Sequence, residues 1–142
     1  MATPKSECER LMSTLMPFAE KMLNEHRAFH PYGGVIGKTG DISVVGLSEE
    51  KQLPDSQALL EAYRRSFVDS AGRGEIRAAA VVYDAKVNHP GRHAKVDAIV
   101  IELDHKKDYS AVVAFPYAFN QSGDLVLGNP FASKGEGAIF NP

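Results

Sequence analysis

The residues of this chain that could do chemistry fall in three places. The first is GGVIGKTG, Gly33 to Gly40, in which Gly37-Lys38-Thr39 has the ending of a phosphate-binding loop. Such a loop needs a glycine five positions before the second one, and a helix opening behind it whose amides hold the phosphate. Tyr32 stands where that glycine belongs, and the stretch leads into the strand formers Ile42, Val44 and Val45. Lys38-Thr39-Gly40-Asp41 therefore reads as the turn of a hairpin.

The second place holds His89, His93 and His105 near Asp84, Asp97, Glu102 and Asp104. Imidazoles and carboxylates ligate metals, and Glu102 and Asp104, two apart on a strand, point the same way. The pattern has no HExxH, no paired cysteines and no dense loop of oxygen ligands, so no metal and no cofactor is assigned. Asp84 and Glu102 could serve as paired carboxylates in acid–base work, but that work needs a concave site to perturb them. Cys8 lies near the start of a helix, and no GxSxG elbow is present. No catalytic residue is assigned, and an enzyme is the third-ranked reading.

The third place is FHPYGG, Phe29 to Gly34. As a functional feature it would be the lip of a small-molecule pocket, with His30 and Tyr32 as its polar contacts. As a structural one it is a helix-to-strand corner, where Pro31 stops the helix and the glycines let the strand pass close to its neighbours.

Elements of one domain must position these groups. A chain of 142 residues builds a single core, and 44% apolar with 24% charged residues is the composition of a globular protein. A net charge of −2 and a pI near 6.2 give no footprint for nucleic acid. The single cysteine, the lack of a basic and apolar leader in Met1 to Glu9, and the lack of a run long enough for a membrane span predict a cytoplasmic protein.

Ser6 with Glu9 has the form of a capping box, and Leu11, Leu15, Phe18, Met22 and Phe29 follow near helical spacing. Pro17 predicts a kink or a restart in that helix. Phe29 to Leu47, with Val35, Ile36, Ile42, Val44 and Val45 as its strand formers, reads as a hairpin, and Ser48 to Gln52 as a polar stretch before Leu53-Pro54-Asp55. Asp55 or Ser56 caps a second helix that ends at Gly72 or Gly74, with Leu59, Leu60, Tyr63 and Phe67 on one side and a solvated face of Glu61, Arg64, Arg65 and Asp69. Glu75 to His105 is the central hairpin, Tyr109 to Tyr117 a further strand and Leu125 to Leu127 a short last one. From about residue 129 the tail reads as irregular, with Phe131, Ile139 and Phe140 packing back onto the domain. The predicted fold is α+β, an antiparallel sheet of about five or six strands with two helices on one face, in the order α-β-β-α-β-β-β-β.

A hairpin register with Ala80 opposite Glu102 puts Ala79, Val81, Tyr83, Ile99, Ile101 and Leu103 under the helices. The even positions, Ala78, Ala80, Val82, Val100 and Glu102 among them, then form a second face of small apolar residues with an acidic margin. That face is the expected interface for self-association, as a homodimer, or for another protein, unless the C-terminal tail folds over it.

The stretches FHPYGGVIGKTGDI, GEIRAAAVVYDAKV and DAIVIELDH resemble a family of small uncharacterised bacterial proteins of this length. That resemblance implies a bacterial protein of unknown function and carries no catalytic residue. The order helix, two strands, helix, three strands resembles profilin-like and roadblock-like domains, mainly dimerisation and binding modules. Roadblock proteins end with a third helix, where this chain has a tail with Gly and Pro. The function expected is a non-catalytic protein–protein interaction module, with a small-molecule binding or sensor domain at the Phe29 to Gly34 corner as the alternative.

Overall fold

The computed structural model describes residues 2–47 and 55–142. The expected polar stretch Ser48 to Gln52 and the following Leu53-Pro54 lie outside the described residues. Helix α1 runs Pro4–His26 and α2 Ser56–Gly72; the strands are β1 Tyr32–Gly37, β2 Ile42–Val45, β3 Ile76–Asn88, β4 Lys95–His105, β5 Tyr109–Phe119, β6 Leu125–Leu127 and β7 Phe131–Lys134. They form an α+β fold around a seven-stranded antiparallel sheet in the order β2-β1-β3-β4-β5-β6. β6 and β7 lie end to end along the outer edge of β5, at Tyr117–Phe119 and Ala111–Ala114. No helix among the described residues is long and apolar enough to cross a membrane.

Helix α1 begins earlier than Ser6 and Glu9 suggest. Thr3 is its N-cap, Pro4 occupies the first turn where no amide is needed, and Thr3 and Ser6 exchange the capping-box bonds. Its buried face is Cys8, Leu11, Leu15, Ala19, Met22 and Leu23, and Arg27 ends it in the left-handed conformation with φ 61°. The helix does not restart at Pro17 but stays one element of 23 residues. Asp55 caps α2 through the Gln57 amide at 2.9 Å. Its Arg64, expected in solvent, instead reaches the sheet.

The register of the central hairpin differs by one residue from the expected one. Ala80 pairs with Leu103, and Glu102 pairs with Val81. Because side chains alternate, this slip moves every β3 side chain to the other face relative to β4. Ala78, Ala80 and Val82 therefore join Ile99, Ile101 and Leu103 beneath α1. Ala79 and Val81 lie on the opposite face, packed with Leu60 and Phe67 of α2. The two helices consequently cover opposite faces rather than one. The β4–β5 register is as expected, Ile101 with Val113 and Glu102 with Val112.

The expected interface is thereby divided. Ala78, Ala80 and Val82 are buried under α1 at 0%, 2% and 0% exposure, while Val100 and Glu102 look out from the other face. Val100 is itself covered, in a cluster with Ala98 and Ala114 against which Phe131 packs. The tail is not wholly irregular: β7 pairs with β5, and Ile139 enters the α2-side core with Phe140 beside it.

Two adjacent glycines let both helices approach β1. A Cβ at Gly33 would sit 2.5 Å from the Ala80 carbonyl oxygen and 3.1 Å from the Phe67 ring, and one at Gly34 would meet Leu15 at 2.9 Å. A register shift between Ile36 and Gly37 places two β3 residues, Ile76 and Arg77, against Gly37. This bulge lets Ile76 pack toward α2 while Arg77 reaches Glu7 of α1 at 2.9 Å.

Candidate functional site

Beyond Val82 the strand β3 outruns β1. The last β1 pair is Tyr32 with Val82, and Pro31, next in line, has no amide hydrogen to extend the ladder. Around this step a cleft of about 780 Å³ opens between the end of α1, the corner and the first turns of α2. Its apolar lining is Met22, Phe29, Pro31 and Leu60; its polar groups are His26, His30, Ser56, Gln57, Tyr83 and Asp84. The corner thus borders a real concavity, and His30 lines it. Tyr32 does not.

The Tyr32 side chain is completely buried, with Phe18 and Phe29 rings edge-on to it at 5.0 and 6.0 Å. Its hydroxyl accepts the Ala19 amide at 3.1 Å and donates to the Leu15 carbonyl. It is inserted in the main-chain ladder of α1 between Leu15 and Ala19, which flank Pro17. Burial pushes this phenol above its ordinary range and keeps it protonated. Tyr32 is a structural strut, and of the two expected corner residues only His30 lines the cleft.

On the α2 face, Arg64 Nη2 meets both Glu102 carboxylate oxygens at 3.0 and 2.9 Å, and the Tyr83 hydroxyl donates to Glu102 Oε2 at 2.7 Å. Burial, then the Glu102 carboxylate, raises the Tyr83 phenol above its ordinary value. Beside them Ser110 donates to Asp104 and its oxygen accepts the Gly137 amide at 3.0 Å, tying down the tail. Glu102 and Asp104 do share a face. Asp84 is on the other one, where it accepts the Tyr117 hydroxyl at 2.8 Å. Asp84 and Glu102 are therefore not a pair.

The three histidines are not brought together. His89 accepts the Gly91 amide at 3.0 Å and stacks edge-on with Phe131. His105, 4% exposed, accepts the Lys107 amide at Nδ1, so Nε2 carries its hydrogen and donates to Glu7 Oε1 at 2.8 Å. Among the described residues no three His, Cys, Asp or Glu side chains converge as a metal site would require. Cys8 is fully buried, and burial pushes its thiol up to about 12, leaving it protonated and shielded at neutral pH. The Gly37 amide donates to the Asp41 carbonyl at 2.8 Å, so GKTG is a hairpin turn.

Sequence reasoning missed the contributions of α2 and β3 to the cleft, because Ser56, Gln57 and Tyr83 meet the corner only through the fold. Comparison with family models, with curated proteins and with solved structures finds no match to this chain.

Proposed function

We propose that this protein is a non-catalytic binding domain whose ligand seat is the cleft beside the Phe29–Pro31 corner. The observation that carries the reading is the cleft's make-up. Its volume of about 780 Å³ falls within the range of small-molecule sites, and an apolar floor is edged by His26, His30 and Gln57. Such a lining suits a small molecule with an apolar body and a hydrogen-bonding head. The interaction-module reading loses its main support, since the face that motivated it is divided between two covered surfaces.

The test is a thermal-shift and ligand-observed NMR screen of metabolites against the wild type, His30→Glu, Gln57→Glu and Tyr32→Phe. A true ligand raises the midpoint of the wild type and of Tyr32→Phe, and loses its effect in the other two. Hits that ignore both cleft variants, or a screen without hits, would sink the reading.

A further inference from the structure

Where β3 outruns β1, beside the cleft that Tyr83 and Asp84 line, no strand among the described residues pairs with its edge. The Lys106 amide donates to the Arg77 carbonyl, which fixes the odd residues of β3 as those bonded to β4. The main-chain groups of Asp84, Lys86 and Asn88 therefore face the other way. Among the described residues no strand pairs with them there, the β1 ladder having stopped at Val82. Open edges invite another strand, and the residues on this one decide which.

Read against a copy of itself running antiparallel, the segment Tyr83-Asp84-Ala85-Lys86-Val87 is self-complementary. Only even residues can exchange main-chain bonds across the edge, so the allowed registers pair even with even. Pairing Asp84 with Asp84, or Lys86 with Lys86, sets like charges opposite each other. The register centred on Ala85 sets Asp84 opposite Lys86 twice, with Tyr83 against Val87 on the other face. The two-fold axis then falls on an alanine, small enough for the close approach of a pair without main-chain bonds. Lys86 already holds Asp97 on β4 at 3.0 Å, so in this register it lies between two carboxylates. Pairing ends naturally at Tyr83, because Val82 is taken by Tyr32.

We propose that this edge of β3 joins two copies of the chain in a continuous sheet, Asp84 of each copy opposite Lys86 of the other. A charged edge can also serve to keep strands apart, and the experiment separates the two roles.

Solution mass is measured by light scattering over a wide concentration range for the wild type, Asp84→Lys, Lys86→Asp and an equimolar mixture of the two variants. The wild type is expected to pass from 15.4 kDa toward twice that mass. Each single reversal puts like charges at both pairs and weakens association by about tenfold or more. In the mixture the two reversals complement each other, and a heterodimer as tight as the wild type returns. A wild type that stays monomeric throughout, or a dimer indifferent to both reversals, overturns the proposal. A mixture no tighter than its components does the same.

A second arm does not depend on the charge variants folding. Under mild oxidation Ala85→Cys should cross-link to a dimer, since the axis places that residue against itself, whereas Val87→Cys should not. Equal cross-linking by both would mean a different register and would overturn the assignment.

Discussion

The Tyr32 hydroxyl occupies the place of a main-chain bond in α1, accepting from the Ala19 amide at 3.1 Å and passing its own hydrogen to the Leu15 carbonyl. Pro17, between those two residues, lacks an amide and crowds the preceding turn. A side chain from β1 thus bridges the turn that holds the proline, while the bond Pro17 itself lacks is the one to the Ser13 carbonyl.

Tyr32→Phe keeps the ring among Phe18 and Phe29 but leaves the Ala19 amide and the Leu15 carbonyl without their partner. A loss of about 1–3 kcal/mol in urea unfolding is expected, the cost of unsatisfied buried polar groups. In the Pro17→Ala background the ladder can close on itself, so the same substitution should cost measurably less. Equal costs in the two backgrounds would separate the strut from the proline.

Glu7 links α1 to the sheet through His105 at 2.8 Å and Arg77 at 2.9 Å. The bond from His105, opposed by burial and then reinforced by Arg77, holds its carboxyl below the ordinary glutamate range. A depressed folded-state value stabilises the fold above the unfolded value, and that stability is lost as pH falls through the folded one. Stability measured by urea unfolding should therefore decline between about pH 6 and pH 3, and Glu7→Gln should flatten that decline. An unchanged slope in the variant would remove Glu7 from the acid limb.

Gly33 and Gly34 differ in what a side chain would strike. At Gly33 the nearest obstacle is a main-chain oxygen at 2.5 Å, which cannot move without breaking the β1–β3 ladder; at Gly34 it is a Leu15 methyl at 2.9 Å. Gly33→Ala should lower stability by about 3 kcal/mol or more and Gly34→Ala by about 1–2 kcal/mol, the span of overpacking costs. Calorimetric midpoints rank the two, and the reverse order would refute the argument.

The C-terminal segment is held by Ser110, which accepts the Gly137 amide at 3.0 Å, and by Ile139, 8% exposed against the α2-side core. Truncation after Lys134 should cost about 2–4 kcal/mol, comparable with removing a large buried side chain. It should also increase binding of an apolar dye and speed amide exchange at Ala79 and Val81. Exchange at those amides equal to that of the full chain would show that the segment does not seal this face.

Much of the architecture was legible because it rests on local signals. The period of Leu11, Leu15 and Met22 marks α1, Asp55 marks the start of α2, and the polar stretch Lys106 to Asp108 marks the β4–β5 turn. The β4–β5 register followed from that short turn. The cleft was legible by half: Pro31 and the glycines betray a corner, but nothing near them tells that His30 faces outward while Tyr32 faces α1.

What the sequence by itself determined was the kind and order of the elements, since helical and strand periods and turn residues act over a few neighbours. Which faces those elements cover was decided only by the tertiary structure. Ala78 to Val82 are five apolar residues in a row, so neither parity of β3 is marked for the core and both readings bury equally well along the strand. The choice was made by the length of the hairpin turn and by contacts far apart in the chain. The six-residue His89 to Ala94 turn set the hairpin one residue away from the expected register. The bulge at Arg77 brought that side chain to Glu7, and the bare backbone of Gly33 and Gly34 admitted a helix on each side.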